Sequence, residues 1–391
     1  NQKRDEFRLL KQWRDKIMKN VNPKTNLLEH SEAKVELYGR YLSVYLNILH
    51  RAGFVKRIFV FDLFCGEGIY ENNAKGSPII ALDCIRNHFY SNKNSIPNMT
   101  VWFNDIGKSE LEDGYKADRV QRISETLTIP SNVDVRFFKK DYREIFPEAI
   151  ELVEQTRDAK GLFFIDPFGY KIIKPLDIRK ILEIGNTEVL LWLPIAQMYR
   201  FAGSVMENQF PGSDPLRDFL KDLFGNNMPN FRSAYDFVDQ LKGRFRAYLK
   251  DLNAYVDIFF LERDATNVYC LFFFTRNIKG YEKIIETKWQ IDKEHGRGFA
   301  LEKTQSFFSE IELSGYKQKI QAFIESADYR TNTELYFFGL ENGFLPKHTK
   351  SVLDAFTKSG LTIEVVSLDG KPAKGYYLGD MNRRVGISIK A

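Results

Sequence analysis

RIFVFDLFCGEGIYENNAKGSPIIALDCI, residues 57–85, reads as a strand, a glycine turn and a helix. Ile58–Leu63 is a short apolar run of the kind that forms a buried strand. Gly66 and Gly68 turn the chain, a polar loop follows, and Gly76-Ser77-Pro78 opens a periodic apolar segment to Asn87. Pro78 suits a first helical turn. Without side chains, the two glycines let a ligand approach the backbone closely. A dinucleotide, a phosphate and a sulfonium cofactor all fit such a turn, so the choice rests on the rest of the chain.

Outward from this stretch, strands and helices alternate. Further strands are expected at Thr100–Asn104, Val133–Phe138, Gly161–Ile165 and Glu188–Leu193. Helices are expected at Lys108–Leu127, Pro147–Arg157 and Pro175–Gly185. An amphipathic helix, Ser31–His50, precedes them, with Val35, Tyr38, Tyr41, Leu42, Tyr45, Leu46 and Leu49 at helical spacing. The alternation predicts a parallel sheet in an α/β domain. The pattern then changes to a polar helical insertion, 207–253, followed by YVDIFFLE and VYCLFFFTRN, two adjacent strands that predict a hairpin. Five parallel strands closed by a hairpin resemble the seven-stranded, Rossmann-like sheet of class I S-adenosylmethionine methyltransferases.

After residue 283 the composition shifts again. YKQKIQAFIESA, RTNTELYFFGLENG and PKHTKSVLDAFTKSG predict three helices, the second stopped by Gly343 and the third by Gly360. LTIEVVSLDGKPAKGYYLG predicts strand, turn at Asp369-Gly370, and strand. Three helices and a hairpin resemble a winged helix-turn-helix, with the third helix in the reading position and the turn near Lys371 as the wing. The expected division is N-terminal helices over 1–56, a methyltransferase domain over 57–283 with its insertion, and a linker with the winged helix over 284–391. From Lys347 to Ala391 eight Lys or Arg face four Asp or Glu, a net of +4 within a chain of net charge +5. A basic surface so placed suggests nucleic-acid contact through Lys347, His348, Lys350, Lys358, Lys371 and Lys374. A solvated lysine-rich tail and a protein-binding winged helix read the same way.

The composition excludes some classes. At 43% hydrophobic and 14% aromatic the chain can build real cores and is not a disordered chain. Cys65, Cys84 and Cys270 form no C-x-x-C pair, which argues against a disulfide framework and fits a reducing, cytoplasmic setting. The five histidines lack metal-ligand spacing, so no metal is expected. No apolar run approaches a membrane span, and the polar start NQKRDEFRLLKQW is unlike a signal peptide. The chain does not begin with Met, so native residues are expected to precede it.

The chemistry is expected at the carboxyl ends of the strands. DLFCGEG resembles the first methyltransferase motif, with Asp62 receiving the cofactor ammonium. Asp105, after the second strand, is placed to accept ribose hydroxyls, although it lies farther along than the ~20 residues usual for such an acid. Asp141, after the third, is placed to accept an adenine amino group. Each is otherwise an ordinary turn or cap residue. The fourth strand ends in GLFFIDPFGYK. Amino methyltransferases carry a D-P-P-Y type motif there, in which the acid and the proline carbonyl hold the acceptor NH2 and an aromatic stacks on the base. Here the form is D-P-F-G, as in tRNA guanine N2-dimethyltransferases, with Asp166, Pro167, Phe168 and Tyr170 as the candidate catalytic set. A cytosine C5 enzyme would need a Pro-Cys nucleophile that this chain lacks. Tyr199, Arg200 and Phe201 are candidate pocket-lining residues after the fifth strand.

Taken together, the leading helix with its Tyr-Leu repeats, DLFCGEG, GSPIIAL, FFIDPFGY followed by IRKIL, and the closing winged helix resemble the three-Cys-motif partner family. The resemblance covers most of the chain. It implies a Rossmann-like methyltransferase domain that binds S-adenosylmethionine through Asp62, Phe64, Gly66 and Gly68, with Asp166, Pro167 and Phe168 for the target amine. The family name implies a neighbouring radical-SAM-like iron–sulfur protein as partner. Two functions are therefore expected: an N-methyltransferase acting on a nucleobase, or a methyltransferase-like accessory subunit. NAD-dependent oxidoreduction is a third, disfavoured by the hairpin and the fourth-strand motif.

Overall fold

The computed structural model describes residues 22, 25–27, 29–91, 97–167, 169, 171–207, 212–226, 228–264, 267–292, 296, 298–300, 308–367 and 369–390. Its two compact units are Asn1–Asp166 and Pro167–Ala391.

The first unit holds four parallel strands, β1 (Arg57–Asp62), β2 (Asn98–Asn104), β3 (Val133–Phe138) and β4 (Ala159–Ile165). β1 is flanked by β2 and β4, and β3 lies outside β2. In β1 every residue after Arg57 is buried, as expected of a parallel strand covered on both faces. Register places Asp62 beside Phe103 and Phe164, so the carboxyl ends of three strands fall level. Helices α1 (Glu29–Arg51), α2 (Ser77–Ser91), α3 (Lys116–Glu125) and α4 (Tyr142–Glu154) connect or cover them. Packing of α1 on α2 is close at Gly39, where a Cβ would lie 2.6 Å from Ile80 Cγ2.

In the first unit two helix starts differ from the sequence expectation by five residues or more. α3 begins at Lys116 rather than Lys108, because Ser109 and the Glu110 N–H are drawn onto the Glu67 carboxylate and hold the preceding segment as a loop. α4 begins at Tyr142 rather than Pro147, because Asp141 caps it by accepting the Arg143 N–H. Pro147 thus sits inside the helix, where it forgoes one backbone hydrogen bond.

In the second unit, β7 (Asn267–Thr275) runs antiparallel to both β5 (Thr187–Leu193) and β6 (Tyr255–Asp264), and β8 (Gly298–Ala300) pairs in parallel with β6. The order over the sheet is β3-β2-β1-β4-β5-β7-β6-β8. Its first seven positions are the Rossmann-like class I methyltransferase arrangement; β8 is an addition that the sequence did not announce. Helices α5 (Pro175–Glu183), α6 (Ile195–Glu207), α7 (Asp214–Phe224), α8 (Ala234–Tyr248) and α9 (Ile278–Ile291) complete this part. Tyr199, Arg200 and Phe201 lie within α6.

The end of the chain forms α10 (Phe308–Glu325), β9 (Arg330–Thr331), α11 (Asn332–Glu341), α12 (Pro346–Lys358), β10 (Thr362–Ser367) and β11 (Val385–Lys390). The strands make an antiparallel sheet in the order β10-β11-β9. Tyr316, Ile320, Leu335, Leu353, Phe356 and Ile387 form its core. The strand paired with β10 is β11, not Tyr376–Gly379 as the apolar run there suggests. Asn332, fully buried, explains the difference. Its amide donates to the carbonyls of Tyr377, Asp380 and Arg383 and its carbonyl accepts the Val385 N–H, which holds residues 377–384 as an irregular loop. Tyr376, Tyr377 and Leu378 pack against the core from that loop.

Candidate active site

The first unit gathers its acids at the carboxyl ends of the strands. Asp62 closes β1 and is fully buried. Its Oδ1 accepts only a long hydrogen bond from the Phe64 N–H, 3.4 Å, and its Oδ2 has no hydrogen-bond partner among the described residues. Burial pushes its carboxyl up to about 7. The charges of Asp166 and Asp105 act in the same direction. The Ser77 hydroxyl opposes them, close enough to favour the charged form without closing a bond of normal geometry to Oδ2. An unpartnered buried acid is costly, and native structures keep few of them.

The glycine turn follows directly. Gly66 has φ +65° and Gly68 φ +80°, conformations that suit glycine. Their surroundings differ. A Cβ at Gly68 would lie 3.1 Å from Val120 Cγ2, so this glycine lets α3 pack on the turn. Among the described residues, a Cβ at Gly66 would meet only the Tyr70 hydroxyl, at 3.2 Å. Between them, Glu67 is buried and binds Ser109 and the Glu110 N–H, while its carbonyl accepts from Arg119.

Asp105 is brought onto this turn. One carboxylate oxygen accepts the Gly66 N–H at 3.0 Å and the other the Gly107 N–H at 2.7 Å. Next to it Ile106 presents an apolar side chain that is 55% exposed. Asn104 ties the neighbouring strand ends together. Its amide donates to the carbonyls of Leu63 and Lys140, and its Oδ1 accepts the Lys140 N–H. Phe64 stacks on Tyr142. Asp141, expected to accept an adenine amino group, has local partners. The Arg143 guanidinium grips both of its oxygens, at 2.8 and 3.0 Å, and with the Arg143 N–H lowers its carboxyl to about 2. It stands as the cap of α4.

Asp166, after β4, is in an ion pair with Lys34 of α1, the two side chains being 20% and 11% exposed. One helical turn on from Lys34, Tyr38 stacks on Phe164 of β4 at 4.2 Å. In the second unit the carbonyl of Pro167 accepts the Gly169 N–H at 2.7 Å, which engages one of its two lone pairs. Phe168 and Tyr170 lie outside the described residues. Lys34, Asn104 and Glu67 escaped the sequence reading. The signal for Lys34 was available: it is a charge on the buried stripe formed with Tyr38, Tyr41 and Tyr45.

Among the basic residues near the end of the chain, Lys347, Lys350, Lys358, Lys371 and Lys374 are exposed. Lys350 pairs with Asp354 and Lys371 with Asp369. His348 turns inward instead. Its Nδ1 accepts the Leu345 N–H, its ring lies 4.2 Å from that of Trp289, and burial together with the Lys347 charge lowers it to about 4. It is a neutral helix cap, which removes it from the exposed basic set. The three cysteines are free. Among the described residues no group of three or more His, Cys, Asp or Glu could hold a metal, and no helix is long and apolar enough to cross a membrane.

No protein-family model matches the chain, and no curated protein matches it. Several solved structures resemble it at low identity. Trm1 from Pyrococcus horikoshii, solved with S-adenosyl-L-methionine, aligns at 12% identity over 92% of this chain and 91% of its own, with a TM-score of 0.37. An O-methyltransferase from Bacillus cereus, solved with S-adenosylhomocysteine, aligns at 12% identity over 61% of this chain and 80% of its own, TM-score 0.32. The O-methyltransferase TomG from Streptomyces achromogenes gives 12%, 61%, 79% and 0.32 for the same quantities.

Proposed function

We propose that the chain is an S-adenosylmethionine-dependent N-methyltransferase whose acceptor is an exocyclic amine of a nucleobase in nucleic acid. The observation that carries this reading is the Asp62 carboxylate, buried at the end of β1 beside a glycine turn, with an oxygen that no described residue satisfies. A cationic amine is the partner such a group lacks, and the amino-acid end of the cofactor supplies one. Asp105, already fastened to Gly66, retains lone pairs for ribose hydroxyls. Ile106 offers an apolar surface for a flat ring. When bound, the cofactor supplies an electrophilic methyl group. The chain's own contribution is positioning, with Asp166 and the Pro167 carbonyl as acceptors for the target amine.

The reading is tested by calorimetry with S-adenosylmethionine and S-adenosylhomocysteine, then by transfer of label from the cofactor to total tRNA and genomic DNA. Asp166→Ala is expected to retain cofactor binding and to lower transfer by about two to four powers of ten, the scale of one well-placed polar group. Equal transfer by Asp166→Ala and the unaltered protein would remove that motif from the mechanism.

We read α10–α12 with β9–β11 as a winged helix, and α12 and the loop 369–374 as its nucleic-acid face, through Lys347, Lys350, Lys358, Lys371 and Lys374. A second reading of the whole chain is favoured by the Lys34–Asp166 pair, since the acceptor carboxylate already has a partner. On that reading the chain is an accessory subunit of a three-Cys-motif protein. Cofactor binding without transfer to either nucleic acid would select it.

A further inference from the structure

Lys34 sits on α1, which precedes β1, yet its ammonium reaches the carboxylate after β4. Its position is fixed from several sides. Gly39 brings α1 close to Ile80, the Cys84 thiol donates to the Gly39 carbonyl at 3.3 Å, and Tyr38 is clamped on Phe164. A slack surface lysine would gain little from such a pair. Here both partners are mostly buried, so the ammonium is a fixed charge in the site.

The charged groups that act on the nearby Asp62 are acidic. Asp62 is approached by Asp166 from the end of β4 and by Asp105 from the end of β2, with the Ser77 hydroxyl of α2 and the Phe64 N–H opposing them. The Tyr38 phenol of α1 and the Cys65 thiol also feel Asp62, and Lys116 of α3 acts on Cys65. Asp166 acts in addition on Tyr70. Two carboxylates that share a buried site cannot both ionise easily unless a cation offsets one of them. Lys34 is that cation.

We propose that Lys34 is a positioning residue that neutralises Asp166 and so keeps Asp62 free to take up the ammonium of an amino-acid-bearing cofactor. This rests on the cofactor reading above and extends it to α1. When Asp62 is protonated it cannot pair with an ammonium, so binding must displace that proton. Removing Lys34 leaves Asp166 as an unbalanced negative charge and makes Asp62 harder to ionise. Removing the Asp166 charge while Lys34 remains does the reverse.

The test is calorimetry with S-adenosylhomocysteine between pH 5.5 and 8.5 on the full chain, on Lys34→Met, on Asp166→Asn and on the double variant. For the unaltered protein, affinity should fall about tenfold per pH unit on the acid side of neutrality, the slope of one displaced proton. Lys34→Met should move the midpoint to higher pH and weaken binding at pH 6 by about three- to tenfold, roughly half to one unit in the midpoint. Asp166→Asn should move it to lower pH, and the double variant should return close to the unaltered profile. A Lys34→Met profile that superimposes on the unaltered one overturns the proposal and leaves the cofactor reading standing. Shifts of both single variants in the same direction overturn it too, since they report damage to the fold rather than charge. Absence of binding by the unaltered protein at pH 8 overturns the cofactor reading and the proposal together.

Discussion

Two strands of this molecule each bury an aspartate, and the two are treated in opposite ways. Asp257 on β6 is 1% exposed and held by Lys242 at 3.0 Å and Lys288 at 2.6 Å. Burial alone would raise its carboxyl, but the two ammonium groups outweigh that and hold it well below the usual range. Asp62 on β1 is equally buried, has no lysine of its own and is pushed up to about 7. A buried acid with its counter-charges in place is a structural group. One left without them is costly to folding, and its natural explanation is a ligand.

The largest effect is expected where the pairing is complete. Asp257→Asn leaves two buried ammonium groups without their acid and should cost about 3–5 kcal/mol, the range for breaking a buried pair. Urea unfolding reads it directly, and a loss below 1 kcal/mol would erase the contrast with Asp62.

Asp62→Asn should act in the other sense. Between about pH 4 and 7 the folded chain keeps the Asp62 proton that the unfolded chain releases, so the native state loses stability as pH rises through that window. Above it the penalty stays constant, of order a few kcal/mol. The variant should therefore match the unaltered protein near pH 4 and melt higher at pH 8, while losing S-adenosylhomocysteine binding. An unchanged melting temperature at pH 8 would mean that the carboxyl is satisfied after all.

The two glycines sharpen the same contrast on a smaller scale. Gly68→Ala must push against Val120 and Ile123 and should cost about 1–3 kcal/mol by overpacking, before any ligand is considered. Gly66→Ala, like Gly68→Ala, carries the strain of a positive φ, but among the described residues it meets only Tyr70, so it should cost less stability and more cofactor affinity. Equal thermal losses would mean that both glycines serve packing.

The smallest effect is expected at the end of the chain. Changing Lys347, Lys350 and Lys371 together to Ala should leave stability nearly untouched. If these side chains touch phosphate, each lost contact reduces the slope of log affinity against log salt by about 0.9 on duplex DNA. An unchanged slope would assign α12 to protein contacts.

How far the sequence led depended on how local the cause was. The strand ends and the turn at residues 57–85 were legible because burial on both faces leaves a continuous apolar run, and Gly66 and Gly68 mark the bend. The antiparallel β6–β7 pair was legible from two apolar runs almost in contact. β11 was not, since one buried amide, that of Asn332, decides which of two apolar segments joins the sheet. In the site, the positions of Asp62 and Asp105 after successive strands were legible, since each follows an apolar run. Asp141 also stands after its strand, where Arg143, two residues on, is a local partner that the strand pattern does not reveal. Lys34 was missed because its partner is 132 residues away in sequence, and the stripe of tyrosines around it resembles ordinary core.

Asn104 bears on motion as well as on structure. Its side chain and backbone hold the Leu63 carbonyl, the Cys65 N–H and the Lys140 N–H and carbonyl, and the Asp105 N–H next to it binds the Phe138 carbonyl. The segments after β1, β2 and β3 therefore cannot loosen one at a time. Amide hydrogens of Cys65, Asp105 and Lys140 should exchange with solvent at a common rate, set by one shared opening. A ligand that closes the turn at Gly66 should slow all three together.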